Sequence, residues 1–180
     1  FVGRMDYFPN QQAVIGFCRD VLPGIRQRRP ETRFLIVGAD PPPHIKALGQ
    51  QPGVTVTGSV PDVRPYVRGA AMTVAPLLIA RGTQNKILES MALGVPVVCS
   101  PQASGGVDAV PGEHLLVADA PQEWIDQVCG LLESAEARNR LAAAARARVL
   151  SHHSWAASMN KMTTLIENLT KTRTREKVQQ

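Results

Sequence analysis

Aromatic residues make up only 4% of the 180 positions. Surfaces that bind nucleic-acid strands stack bases on aromatic side chains, so this scarcity argues against a nucleic-acid partner. Cysteine is scarce too. Cys18, Cys99 and Cys129 lie far apart and form no C-x-x-C pair. They read as reduced, buried small hydrophobes of a cytosolic protein, not as a disulfide framework. Long apolar runs are missing: the longest, 70–80, is too short for a bilayer and contains Thr73 and Pro76. The first residues carry no signal-peptide pattern. No G-x-G-x-x-G follows a strand, so a nicotinamide cofactor is not indicated, and neither a P-loop nor a G-x-S-x-G elbow occurs. His44, His114, His152 and His153 have no metal-ligand spacing, and no metal is expected.

What remains is an ordinary globular composition, 44% hydrophobic and 19% charged. The length suffices for one domain with a core. The net charge of +5 is concentrated in Arg26, Arg28 and Arg29 and in Lys171, Arg173, Arg175 and Lys177. A basic tail can touch an anionic membrane surface, but such runs more often belong to a solvated helix end or a frayed terminus.

Periodicity gives alternating elements. Phe1-Val2-Gly3-Arg4 reads as the end of a strand, from which we expect a preceding domain. Pro9-Asn10 opens a helix whose apolar face is Val14, Phe17, Cys18, Val21 and Leu22, with a second segment or kink at Pro23. Strands are expected at 33–38, 54–58, 72–75, 97–99 and 113–117. Helices are expected at 44–50, 62–71, 121–134, 135–151 and 154–170, followed by a disordered charged tail over 171–180. The fold class predicted is α/β: about six strands in a doubly wound parallel sheet with helices on both faces. Ligands of such sheets bind at the carboxyl ends of the strands, here marked by Gly38, Gly58, Pro76 and Ser100. Asp6, Asp40, Asp62 and Asp108 fall in loops and read as turn formers.

One stretch concentrates the chemistry. Residues 81–98 read as loop, helix, turn and strand. Gly82 frees the loop backbone, and Thr83 or Asn85 can cap the helix. Ile87 with Met91, and Leu88 with Ala92, give an apolar stripe. Gly94 suits a left-handed C-cap and Pro96 stops the helix. Arg81, Gln84, Asn85, Lys86 and Glu89 surround the helix start, where free N–H groups and a partial positive charge favour an anion, most simply a phosphate. A surface Lys86–Glu89 ion pair is the plain alternative.

Glu89-Ser90-Met91-Ala92-Leu93-Gly94-Val95-Pro96-Val97-Val98 resembles the donor-binding helix of retaining glycosyltransferases of the GT-B fold, family 4 above all. Members usually read E-G-F-G-x-x-x-x-E-A-M-A-x-G-x-P-V-V there. The second Glu of that pattern, which bonds the two ribose hydroxyls, falls on Glu89. The first falls on Arg81, inverting the charge. The stretch is similar to an exopolysaccharide-associated subgroup with R-G-x-Q-N-K-x-L-E-A-M-A. The resemblance implies that the loop over Gly82, Thr83, Gln84 and Asn85 meets the diphosphate. It implies that Arg4, beside Gly3 in the opening turn, contacts the diphosphate too, although the Lys that usually follows is replaced by Asp6-Tyr7-Phe8-Pro9-Asn10. It further implies that Thr57-Gly58-Ser59-Val60 meets the base, that Ser104-Gly105-Gly106 is the turn near the donor sugar, and that Trp155 lies where the last helix crosses back to a first domain.

The expectation is thus a Rossmann-like, nucleotide-sugar-binding domain over 1–170, with an acceptor domain N-terminal to residue 1. Arg81 and Lys86 would stabilise the leaving group, with no metal or other cofactor. The partners implied are a nucleotide diphosphate sugar, a glycan or lipid-linked acceptor and the N-terminal domain. The location implied is cytoplasmic, with weak contact to the inner membrane. A non-catalytic nucleotide- or phosphate-binding module, and an epimerase on the same plan, are the alternatives.

Overall fold

The computed structural model describes residues 1–153, together with 159, 162–164 and 166. Trp155, most of the helix expected over 154–170 and the tail 171–180 lie outside the described residues.

The chain is a Rossmann-like α/β domain. Helix α1 (Phe8–Gly16) runs through one π-helical turn (Phe17–Val21) into α2 (Leu22–Arg28). The order then is β1 (Phe34–Val37), α3 (Pro43–Leu48), β2 (Val54–Gly58), α4 (Arg64–Arg68), β3 (Thr73–Ala75), α5 (Asn85–Ala92), β4 (Val97–Cys99), α6 (Pro101–Ser104), β5 (Leu116–Val117), α7 (Pro121–Glu133) and α8 (Ala135–His152). Pro23, in the first turn of α2, has no N–H to give. Just before it the ladder slips by one residue, and the Leu22 N–H reaches back to Phe17 O. The apolar face expected for this segment, Val14, Phe17, Cys18, Val21 and Leu22, is buried throughout. The Phe17 ring lies 4.7 Å from that of Phe34 and meets Trp124 edge-on at 5.9 Å.

All strand pairs are parallel, but the described strands number five, in two hydrogen-bonded groups: β1–β2 and β3–β4–β5. The expected sixth strand at the opening is a single bridge, Val2 to Val37. Phe1 N donates to Leu35 O at 2.9 Å and Gly3 N to Val37 O at 3.0 Å, after which Gly3 turns the chain away. The strand expected at 113–117 is shortened to two residues. His114 turns inward, its Nδ1 accepting from Val110 N at 3.0 Å, and the Gly112 N–H closes a turn on Leu115 O. Helix α4 is likewise shorter than the expected 62–71, because the Asp62 carboxylate accepts from Arg64 N at 2.9 Å and so stands outside the helix as a turn.

The core is built from Met5, Ile36, Ile45, Met91, Val98 and Leu115, among others, all fully buried. Helix α7 packs on α2 and β4, and α5 packs on α8. The three cysteines are buried and unpaired, and burial pushes the Cys18 and Cys99 thiols up to about 11 and about 12. Arg28 pairs with Asp126 at 2.7 Å and Arg29 with Glu31 at 2.9 Å, and the half-buried Arg26 donates to Thr32 O at 2.6 Å, so the first basic cluster is engaged within the domain. No helix among the described residues is long and apolar enough to cross a membrane.

Helix α5 ends as its sequence demands. Gly94 has φ +71°, Gly94 N bonds Met91 O and Val95 N bonds Ser90 O, each at 3.0 Å. This is the double closure of a left-handed C-cap. A side chain at Gly94 forces an L-residue into the left-handed region, so Gly94→Ala should lower unfolding free energy by about 1 kcal/mol in urea titration. A change near zero would mean that the turn relaxes.

Candidate functional site

Three segments meet at the carboxyl rim of the strands: the opening turn, the start of α1 and the start of α5. The chain enters α5 at Gln84, whose backbone is not yet helical. Neither Thr83 nor Asn85 caps the helix, contrary to the sequence expectation: Asn85 is already its first helical residue, and Thr83 stands exposed before it. The Gln84 amide instead folds back on its own loop, donating to Arg81 O and Gly82 O at 3.3 Å. Gly82 has φ +65°. The turn Ser104-Gly105-Gly106 leans on this loop so closely that a Cβ on Gly106 would overlap the Gly82 carbonyl. The glycine turn therefore braces the loop before α5.

The apolar stripe of α5 is narrower than expected. Ile87 and Met91 are buried, but Leu88 is only half-buried and Ala92 is exposed. Ser90 completes the inner face, its hydroxyl donating to Lys86 O at 2.8 Å.

The stripe tilts Lys86 toward the opening turn. Its Nζ donates to Asn10 Oδ1 at 2.6 Å and stands 4.3 Å from the Phe1 ring centroid. A Cβ added to Gly3 would lie 3.1 Å from that nitrogen, so the ammonium sits beside the Gly3 backbone. Burial lowers the Lys86 pKa to about 8, while Glu89 pulls the other way. Glu89, one turn further on and exposed, shares with Lys86 a hollow of about 430 Å³, walled by Ser90 and Leu93 of α5 and by Asp62 and Arg64 at the start of α4. A larger hollow of about 620 Å³ lies between the β1 and β3 sides and is lined mainly by apolar groups such as Phe17, Leu22, Phe34 and Val74. Neither Lys86 nor Glu89 lines it.

The structure thus brings Lys86 and Glu89 to one hollow and sets the Lys86 ammonium beside Gly3. Arg81 does not line their hollow; it is exposed in the loop and has no carboxylate partner among the described residues. Arg4 is engaged by two acids, Asp6 at 2.6 Å and Asp40 at 3.0 Å, and is 67% exposed. The other loop aspartates are also held by arginines, Asp62 by Arg64 and Asp108 by Arg148. Val60 is half-buried and outside the hollow. The Thr57 hydroxyl donates to Gly58 O at 2.8 Å. Sequence reasoning missed Asn10, which it read only as a helix start. The side chain is buried, donates to Arg4 O at 2.8 Å and holds Lys86. Its one signal was position: a polar residue standing where the resemblance expects the opening turn to bring a second cation.

A family model described as "Glycosyl transferases group 1" matches residues 1–134. Comparison with curated proteins gives no sequence match. Among solved structures, S. aureus TarM in complex with fondaparinux, alpha-GlcNAc-glycerol and UDP superposes with TM-score 0.76 at 13% identity, over 91% of this chain and 34% of that one. Anabaena Alr3699/HepE in complex with UDP and glucose gives TM-score 0.69 at 18% identity, over 94% of this chain and 48% of that one. The C-terminal domain of LpcC, a glycosyl transferase group 1 family protein from Francisella tularensis, gives 0.66 at 16% identity, over 86% of this chain and 84% of that one. The chain therefore spans between a third and a half of the length of TarM and HepE.

The position of Lys86 has a thermodynamic signature. Its folded pKa, about 8, lies below the unfolded value of 10.5. Between those values the unfolded chain binds more protons, so this residue makes stability rise with pH across that window. Lys86→Met should remove that rise. Equal slopes in the two proteins, by chemical denaturation at pH 8 and pH 10, would place the ammonium in water.

Proposed function

The chain belongs to the group 1 glycosyl transferases, and from that premise we propose that it is the donor-binding part of a retaining enzyme that takes a sugar from a nucleotide diphosphate sugar. The observation that carries this reading is the shared hollow of Lys86 and Glu89 beside the Gly3 turn. A cation and an acid one helical turn apart match a phosphate joined to a ribose. Glu89 accepts from the ribose hydroxyls, in bonds strengthened by its charge. Lys86 and the free N–H groups at the start of α5 take the diphosphate. Arg81, exposed in the loop and without a carboxylate partner among the described residues, would meet the outer phosphate. As the bond to the sugar breaks, negative charge grows on the departing phosphate, and these groups are already in place to oppose it. On this reading the leaving group needs no metal ion.

TarM and HepE were solved with UDP, which supports a nucleoside diphosphate as the common ligand chemistry. The remainder of the enzyme would supply the acceptor site, for a glycan or a lipid-linked sugar in bacterial exopolysaccharide or cell-surface glycan synthesis. The enzyme would work in the cytoplasm, loosely at the inner membrane. Arg81 in place of the usual acid favours one second reading, a nucleotide-binding module without transfer. Supplying full-length protein with nucleotide sugars, and following nucleotide release with and without acceptor, separates the two.

Glu89→Ala should weaken UDP binding by on the order of 1–3 kcal/mol in calorimetry. Unchanged affinity would remove Glu89 from the ribose. Because Lys86 must be protonated to meet phosphate and titrates near pH 8, UDP affinity should fall as pH rises above 8, and chelators should leave it unchanged. A flat profile through pH 9.5 would exclude Lys86 from the diphosphate.

A further inference from the structure

We propose that Asn10 is the positioning residue of this site: its buried amide holds the Lys86 ammonium beside the Gly3 backbone, where the donor's phosphates arrive. The inference rests on the reading of the site given above and adds a residue that no part of the α5 motif contains.

Asn10 is 5% exposed, and both ends of its amide are used. Nδ2 donates to Arg4 O at 2.8 Å, and Oδ1 accepts from Lys86 Nζ at 2.6 Å. One side chain on α1 therefore ties the opening turn to α5, reaching Lys86 from 76 positions away in the chain. Among the described residues Asn10 Oδ1 is the one hydrogen-bond acceptor of the ammonium. An ammonium has three donors, so two remain for a ligand. The Phe1 ring, 4.3 Å away, closes one side without accepting a hydrogen bond.

The choice of an amide has a chemical reason. A carboxylate at this place would hold the lysine equally well but would cancel its charge. A neutral oxygen fixes the direction of the ammonium and leaves its charge for an incoming anion. The ionised groups that share the hollow are Glu89 on α5 and Asp62 with Arg64 at α4. Asp62 is already engaged by Arg64 at 2.9 Å, and the acids of the opening turn, Asp6 and Asp40, are engaged by Arg4. Of these acids only Glu89 lacks an arginine among the described residues, and the proposed function gives it to the ribose. The opening turn carries no lysine of its own and its Arg4 is engaged by Asp6 and Asp40, so Lys86 delivered by Asn10 is the cation beside Gly3 that no acid holds in an ion pair among the described residues. The Phe1 α-amino group that also faces it is pushed down to about 5, by burial first and by Lys86 second, and adds no charge at neutral pH.

Two readouts test this on the full chain, one independent of nucleotide. In wild type, NMR should show the Lys86 ε-protons shifted upfield by the Phe1 ring, with a side-chain titration midpoint near 8. Asn10→Ala should abolish the ring shift and weaken UDP binding about tenfold, the loss of one charge-assisted bond's worth of placement. Asn10→Asp should keep the ring shift, raise the midpoint by more than about one pH unit, and still weaken UDP, because the charge is now spent. An unchanged ring shift in a folded Asn10→Ala protein overturns the positioning role, whatever UDP does. A lost ring shift with UDP affinity intact overturns the phosphate role of Lys86 and leaves its tether standing. If Asn10→Ala does not fold, Asn10→Asp decides alone: an unmoved midpoint overturns the proposal.

Discussion

A single ammonium group, drawn out of water against one amide oxygen and one aromatic face, is what the rest of the site is built to hold. Desolvating a lysine is costly, and the cost shows in its lowered pKa. Among the described residues the contacts that offset it are one hydrogen bond to Asn10 and the face of Phe1. An anion entering the hollow would remove the remaining penalty. The same group that weakens the empty site would therefore strengthen the filled one.

Such an arrangement needs a rigid frame. The parallel pairs β1–β2 and β3–β4–β5 fix the heights from which the rim loops depart. The opening turn is bonded to β1 through Val37 O and to the following loop through Met5 N to Ala39 O at 2.8 Å. The loop before α5 is pressed by Gly106, and the next turn of that segment is anchored by Arg148 of α8 through both the backbone oxygen and the carboxylate of Asp108. Small residues stand where backbones approach, because nothing larger fits between them.

Much of this frame was legible in the sequence. Alternating apolar runs and helical stripes gave the order of elements, and Gly94 with Pro96 gave the end of α5, since local chemistry decides such turns. The opening strand and the strand at 113–117 were overestimated. Periodicity cannot see that Gly3 leaves the ladder after one bridge, or that His114 turns inward to take the Val110 N–H. The caps failed for a similar reason: Thr83 and Asn85 have the right chemistry, but Gln84 is where the backbone passes into the helix. The motif itself led to Lys86 and Glu89, one turn apart on one helix. Asn10 lay beyond reach because its value comes from a contact 76 positions away, and no local pattern encodes that.

The electrostatics of α5 bear on why the candidate site is sought at this end of the helix. A helix carries partial positive charge at its start and partial negative charge at its end. At the end, Arg146 of α8 donates to Ala92 O at 3.3 Å, so the negative pole is met by the protein itself. The first turn holds no acid, and the N-cap residue makes no side-chain cap bond. Most folds place an Asp, Ser or Glu there to satisfy the free N–H groups. Here that end has Lys86 in its first turn and Arg81 in the loop before it, both of the wrong sign for the dipole. Without a ligand the helix dipole opposes both cations. On the proposed function, a diphosphate would supply acceptors for the N–H groups and countercharge for the cations. The stability that α5 gives up at its start would then return as affinity for the donor's diphosphate.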